Sequence, residues 1–202
     1  NPQRFNNQSV SLIVAPDAVQ PLIDLIDASH SRILVEQFYI HRYFDRKSKS
    51  PNPLLEALID AARRGVNTSV LLDSFYYNVE SGDPSSNLYT EEYLNNVSKA
   101  ENLSLEARLI DLGNGIFKLH NKGLVADNSA LVSSINWNQN SPTRNREVGI
   151  IVSGEAADYF AAVFNYDFSG TVAFATLRNA IGIVVALIIA AILTRIKHRR
   201  YS

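Results

Sequence analysis

The chain has no cysteine and no methionine among its 202 residues. The first absence excludes a disulfide framework and any cysteine-ligated metal, and leaves either redox compartment open. The second leaves no initiator, so the expectation is a processed chain or, in preference, a fragment whose N-terminal part lies upstream. No signal peptide is visible, and for a fragment that carries no weight. Tryptophan occurs once and histidine four times. Acidic residues are missing altogether after Asp167.

That last gap hides behind a net charge of −1. All 20 acidic residues lie at or before Asp167 with 14 of the 19 basic ones, so that part stands at −6 and the remainder at +5. An acidic body argues against non-specific nucleic-acid binding, which needs a basic surface. With 46% hydrophobic residues the chain can build a core of one α/β domain plus an appendage. Sequons at Asn7, Asn67, Asn96 and Asn102 lean slightly toward an exported domain.

Residues 1–8 are polar and read as a linker. Ser9–Val14 reads as a strand, and Pro16-Asp17 opens a helix with Val19, Leu22, Ile23 and Ile26 on one face. Arg32–Ile40 is β-branched and aromatic, hence a buried strand. His41–Pro53 is a basic loop, and Leu54, Leu55, Leu58, Ile59 and Ala62 mark a second helix closed by Gly65. Val66–Asp73 is a strand, Tyr76–Asn87 a polar loop, Tyr89–Ala100 a helix and Leu105–Ile110 a strand. Phe117–Ala126 and Ala130–Ser133 form a hairpin about Asp127-Asn128-Ser129. Glu147–Ser153 is a strand and Glu155–Phe168 a helix. Strands alternating with helices predict an α/β sandwich with a mixed, partly parallel sheet over residues 9–170. No internal repeat is visible.

Ala180–Leu193 is an uninterrupted apolar run of fourteen residues. Extended to 171–196 it reaches the length a bilayer-spanning helix needs, at the expense of Arg178, Asn179 and Arg195. A terminal core helix is the competing reading, but an all-round apolar helix ending in a basic cluster is membrane-like. The prediction is a transmembrane helix over 171–196 and a basic cytoplasmic tail over 197–202. By the positive-inside rule, the domain is extracytoplasmic on a single-pass cell-membrane protein.

Only His120 opens a His-x-Lys triplet. On a strand, residues two apart share a side, so His120 and Lys122 face one site and Asn121 faces away. Neutral imidazole is a good nucleophile, and an ammonium stabilises charge on phosphoryl oxygens. Ser134 and Asn136 follow the return strand of the hairpin and can donate from a hydroxyl and an amide. Glu147 can accept from the second imidazole nitrogen and fix the tautomer. A lone strand histidine is more often ordinary; the ordered company of Lys122, Asn136 and Glu147 outweighs that. Ser133 and Ser141 read as turn residues and Trp137 as core or pocket rim. His30 reads as a helix-end charge and His198 as part of the basic tail. His41, Arg42, Arg46, Lys47 and Lys49 read as solvated loop, with a phosphate headgroup as the alternative.

His120-x-Lys122-x4-Asp127, Ser133-Ser134-x-Asn136 and Asn145-x-Glu147-Val-Gly149 together resemble the phospholipase D superfamily motif. The resemblance spans about residues 9–170, one repeat of that fold. It departs at Ser133, often glycine in the family, and in a spacing from Asp127 to Ser133 one residue shorter than usual. The resemblance implies in-line attack by His120, a phosphohistidine, and protonation of the leaving group by a second histidine. Lys122 and Asn136 would hold the non-bridging oxygens, Ser134 would contact substrate, and Asp127 would be structural. No cofactor and no metal are implied. The second motif would come from an upstream repeat, the preferred source, or from a homodimer partner. The expectation is a membrane-anchored phosphodiesterase acting on phospholipid by hydrolysis or phosphatidyl transfer. The alternatives are a nuclease cutting DNA or RNA and an inactive binding module.

Overall fold

A computed structural model describes residues 3–113 and 115–170. The predicted transmembrane helix and basic tail lie outside the described residues. Among those described, no helix is long and apolar enough to cross a membrane.

Seven strands form one sheet: β1 (Val10–Val14), β2 (Arg32–Gln37), β5 (Asn67–Leu72), β6 (Leu105–Leu109), β7 (Lys122–Ala126), β8 (Ser129–Ser133) and β9 (Val148–Ser153). Their order is β1-β9-β8-β7-β2-β5-β6. The pairs β2–β5 and β5–β6 are parallel, and the rest are antiparallel, so the sheet is mixed. The parallel half is joined through helices α2 (Pro53–Arg63) and α3 (Asn87–Glu101), and α1 (Val19–Asp27) precedes β2. The antiparallel half is built from the tight β7–β8 turn and a longer return through α4 (Asn140–Thr143).

Side-chain alternation along β2 splits the core. Ile33 and Val35 join Leu22, Ile26, Leu54, Leu58 and Leu94 beneath α1, α2 and α3. Leu34 points the other way and packs with Val125, Ala157, Ala161 and Phe164 of the helix over residues 155–170, α5. The result is helices on both faces of one sheet, an α/β/α sandwich.

Local chemistry explains the boundaries. Asn52 caps α2, its side chain accepting from Leu54 N at 3.0 Å, and Pro53 follows at the first helical position. Ser86 caps α3, which begins before the predicted Tyr89 and ends at Asn102 in the left-handed region. α1 starts at Val19 rather than at Pro16, without a side-chain cap. Two expectations are corrected. The loop 41–53 contains a small hairpin, β3 (Tyr43–Asp45) with β4 (Ser50–Pro51). The predicted strand from Phe117 begins only at Lys122, because Leu119 N bonds to the Asp73 side chain at 2.8 Å instead of to a neighbouring strand.

Candidate active site

The parallel strands end together at one edge of the sheet, with Gln37 opposite Leu72 and Leu72 opposite Leu109. β7 begins there, Lys122 opposite Gln37. The stretch 117–121 therefore crosses the strand ends, and three anchors fix it. The buried Asp73 carboxylate accepts from Leu119 N at 2.8 Å, from Phe75 N at 3.0 Å and from Asn78 Nδ2 at 2.8 Å. Asn121 O accepts from Phe38 N at 2.8 Å. The Asn121 side chain turns to the α5 face and donates to Glu36 Oε2 at 2.8 Å.

Held this way, His120 is exposed at the edge with its ring 4.6 Å from that of Phe38. Lys122 is only 5% exposed. Its Nζ donates to His120 O at 2.8 Å and lies 3.0 Å from His120 Nδ1. Desolvation, reinforced by the Lys122 and Lys118 charges, lowers the His120 pKa against the pull of Asp73. The ring is thus biased toward the neutral, nucleophilic form. Desolvation also lowers the Lys122 pKa, opposed by the Glu147 and Asp73 charges.

Asn136 follows β8, half-buried. Its N–H donates to Ser141 Oγ at 2.9 Å, and its Oδ1 is buried without a protein partner. Glu147 does not hydrogen-bond the imidazole. Its Oε2 accepts from Ser134 Oγ at 2.5 Å, and its Oε1 from Ser141 Oγ at 3.0 Å and Asn145 Nδ2 at 3.2 Å. Burial pushes its carboxyl up; the hydrogen bonds from Ser134, Asn145 and Ser141 and the Lys122 charge outweigh this and hold it down. Ser134 accordingly spends its hydroxyl proton on Glu147. Gly149 lies opposite Ser133, where a Cβ would stand 2.9 Å from the serine Cβ, so the close approach of β8 and β9 requires glycine.

Asp127 sits away from this edge, at the β7–β8 turn with φ 50°. Its carboxylate accepts from His30 N at 2.8 Å, Ser31 N at 3.0 Å, Ser31 Oγ at 2.6 Å and Arg32 N at 3.0 Å. It fastens the hairpin to the start of β2. Trp137 is fully buried in the core, bridging backbone to backbone with Ile40.

Three polar residues at this edge escaped the sequence reading. Asp73 was absorbed into a strand end, Ser141 into a turn, and Gln37 into a buried strand. The Gln37 side chain is fully buried beside Lys122 with neither polar atom partnered by protein. For Asp73 and Gln37 the signal in the sequence is a polar residue in apolar company; Ser141 lies in the polar run 138–143, which carries no such signal. Among the described residues, no group of three or more His, Asp or Glu side chains is placed to hold a metal ion.

A mixed α/β sandwich that sets a His-x-Lys pair at the ends of its parallel strands defines a phospholipase D-like domain, a class of phosphodiesterases and transferases. The family described as cardiolipin synthase, PLD-like domain, matches residues 22–168, and the chain belongs to it. No curated protein matches the chain. Among solved structures, it is similar to Nuc, a phospholipase D family member from Salmonella typhimurium. That match has 16% identity and a TM-score of 0.64 and covers 81% of this chain and 96% of that one. It is also similar to NucT from Helicobacter pylori, at 19% identity and a TM-score of 0.59, covering 81% and 98%. A phosphatidylserine synthase from Haemophilus influenzae matches at 15% identity and a TM-score of 0.58, with 83% of this chain covering 40% of that one. At these identities the likeness is one of fold.

Proposed function

We propose that the domain cleaves or transfers the phosphodiester of phospholipids through a covalent phosphohistidine at His120. The observation that carries this is the buried Lys122 ammonium 3.0 Å from Nδ1 of an exposed, neutral-biased His120. Attack by the imidazole on phosphorus expels an alkoxide. Lys122 stabilises the charge on the non-bridging oxygens, and Asn136 presents an amide half-buried at the same edge. Asp73, Asn121 and Glu147 position the stretch and the loop that carry these groups.

The proton for the leaving alkoxide comes from a second histidine in another repeat of the same fold, upstream in the chain or in a second copy. Val10, Leu12 and Val14 of β1 and Val148 and Ile150 of β9 support this reading. They leave an exposed apolar face on β1 and β9, next in the chain to Glu147. Water or an alcohol then takes the phosphoryl group from His120. The apolar run Ala180–Leu193 within 171–196 and the basic residues after it support a single-pass anchor with the domain outside the cytoplasm.

Cleavage of nucleic acid is the second reading. It is favoured by exposed aromatic rings beside Lys118, which suit base stacking, and disfavoured by the −6 charge of the body. The test is hydrolysis of phosphatidylglycerol vesicles and of a soluble chromogenic phosphodiester by the full chain in EDTA, beside His120→Ala. The proposal expects both activities and their loss in the variant. Cleavage of DNA or RNA without lipid turnover would favour the nuclease.

A further inference from the structure

The 3-10 turn Tyr76–Asn78 and the stretch 115–118 stand side by side at the catalytic edge. Tyr76 is 75% and Phe117 78% exposed, and Tyr77 is 44% exposed. They are the outer end of a run of rings that leads inward to the nucleophile. Phe117 lies 5.3 Å from Phe75, Phe75 5.0 Å from Tyr77, Tyr77 6.3 Å from Phe38, and Phe38 4.6 Å from His120. Lys118 sits within this group, its Nζ 4.4 Å from the Phe75 ring centre and 2.5 Å from the Tyr77 hydroxyl. Scattered exposed rings are ordinary on a protein surface; a contiguous group at a reactive edge marks a contact surface.

The course of α5 says which contact. It starts at residue 155, after the far end of β9, and returns across the sheet. Its last turn reaches the catalytic edge, where Arg108 Nη1, near the end of β6, donates to Phe168 O at 3.0 Å and the guanidinium covers the Phe168 ring at 3.8 Å. The chain passes residue 170 at the edge that bears Tyr76 and Phe117. The sequence beyond contains the apolar run Ala180–Leu193 and a basic end. The exposed rings and the C-terminal end of α5 thus belong to one side of the domain. Tyrosine and phenylalanine flanked by a lysine are the side chains that settle at the boundary between headgroups and acyl chains, with the ammonium among the phosphates.

We propose that Tyr76, Tyr77, Phe117 and Lys118 form the surface that rests on a phospholipid bilayer, holding His120 toward the plane of the lipid phosphates. This rests on the phospholipid reading above and adds the contact that the substrate membrane makes. The acidic body disfavours the other occupant such rings could take, a nucleic-acid base.

Because Trp137, the one tryptophan, is fully buried, Phe117→Trp introduces a reporter over a constant background. The full chain is reconstituted in phosphatidylcholine–phosphatidylglycerol vesicles with or without bromine on the acyl chains. A ring seated about 5–10 Å into the boundary loses roughly half of its added emission to the bromines. No quenching beyond that of the parent protein, or quenching by a single-stranded oligonucleotide instead, overturns the proposal. In parallel, the Tyr76→Ser/Phe117→Ser double variant is expected to raise KM for vesicle lipid roughly tenfold, with turnover of the soluble chromogenic phosphodiester unchanged. Equal losses on both substrates, or none on either, contradict it. Bromine quenching in a protein that turns over no lipid leaves the bilayer contact standing and removes the substrate reading instead.

Discussion

The Nζ of Lys122 donates to the carbonyl oxygen of His120 at 2.8 Å and lies 3.0 Å from Nδ1 of the same residue. One ammonium thus fixes the backbone of the histidine and places a charge beside its ring. The lysine is buried and the histidine is not, so the ring is open to solvent while the charge is shielded from bulk water.

Removing that charge should act on chemistry more than on folding. Lys122→Met keeps the length and apolar stem of the side chain, and is expected to lower kcat about 10²–10³-fold, the scale of losing one preorganised electrostatic contact. Thermal unfolding followed by circular dichroism checks that the fold persists.

The same variant should move a titration. Desolvation first, then Lys122 and Lys118, depress the His120 pKa below its ordinary 6.5. An NMR titration of the ring is expected to show this depression in the parent. In Lys122→Met the pKa moves upward, because one of the opposing charges is gone. No movement would mean that the lysine charge does not reach the ring.

Asp127 belongs to stability. Desolvation pushes its carboxyl up, but the hydrogen bonds from Ser31, Arg32 and His30 outweigh that and hold its pKa well below the usual range. A depressed carboxylate stabilises the fold above its unfolded pKa, and this contribution fades as pH falls from about 4 through the lower folded value. Asp127→Ala is expected to cost roughly 2–4 kcal/mol at neutral pH. Well below its lowered Tm, its kcat should remain within a few-fold of the parent's.

Glu36 has the opposite sign. Burial above all, against the hydrogen bond from Asn121 and with the help of Asp167, raises its pKa from 4.5 to about 7. The folded state then holds a proton that the unfolded state releases between those values. Stability from this group is full below about pH 4.5 and declines by on the order of 3 kcal/mol as pH rises to about 7. Glu36→Gln should flatten that slope in denaturant titrations run at several pH values. An unchanged slope would show that the carboxyl titrates normally.

How far the sequence carries can be judged from particular residues. The mixed sheet was legible because Leu54, Leu58 and Ala62 keep a helical period and Asp127-Asn128-Ser129 breaks two apolar runs. The nearness of His120 and Lys122 was legible too, though for an incomplete reason. Strand alternation accounts for it only in part, because His120 precedes β7 and the lysine side chain bends back to its carbonyl. Glu147 was read as the imidazole's partner. The chain instead gives it Ser134, Ser141 and Asn145, because α4 folds Ser141 back against it, and a four-residue helix leaves no periodic trace. Asp73, Asn52 and Gln37 were missed for one physical reason: periodicity reports apolar burial, and each is a buried polar residue set by tertiary contacts.

The most direct measurement is mass spectrometry of the peptide containing His120 after rapid acid-free quenching of the full chain with a phosphodiester substrate. A phosphoryl adduct on His120, stable in base and labile in acid, absent in His120→Ala and accumulating in a slowed variant such as Lys122→Met, is the predicted result. Turnover without any adduct on His120, or with the adduct on another residue, would contradict the account.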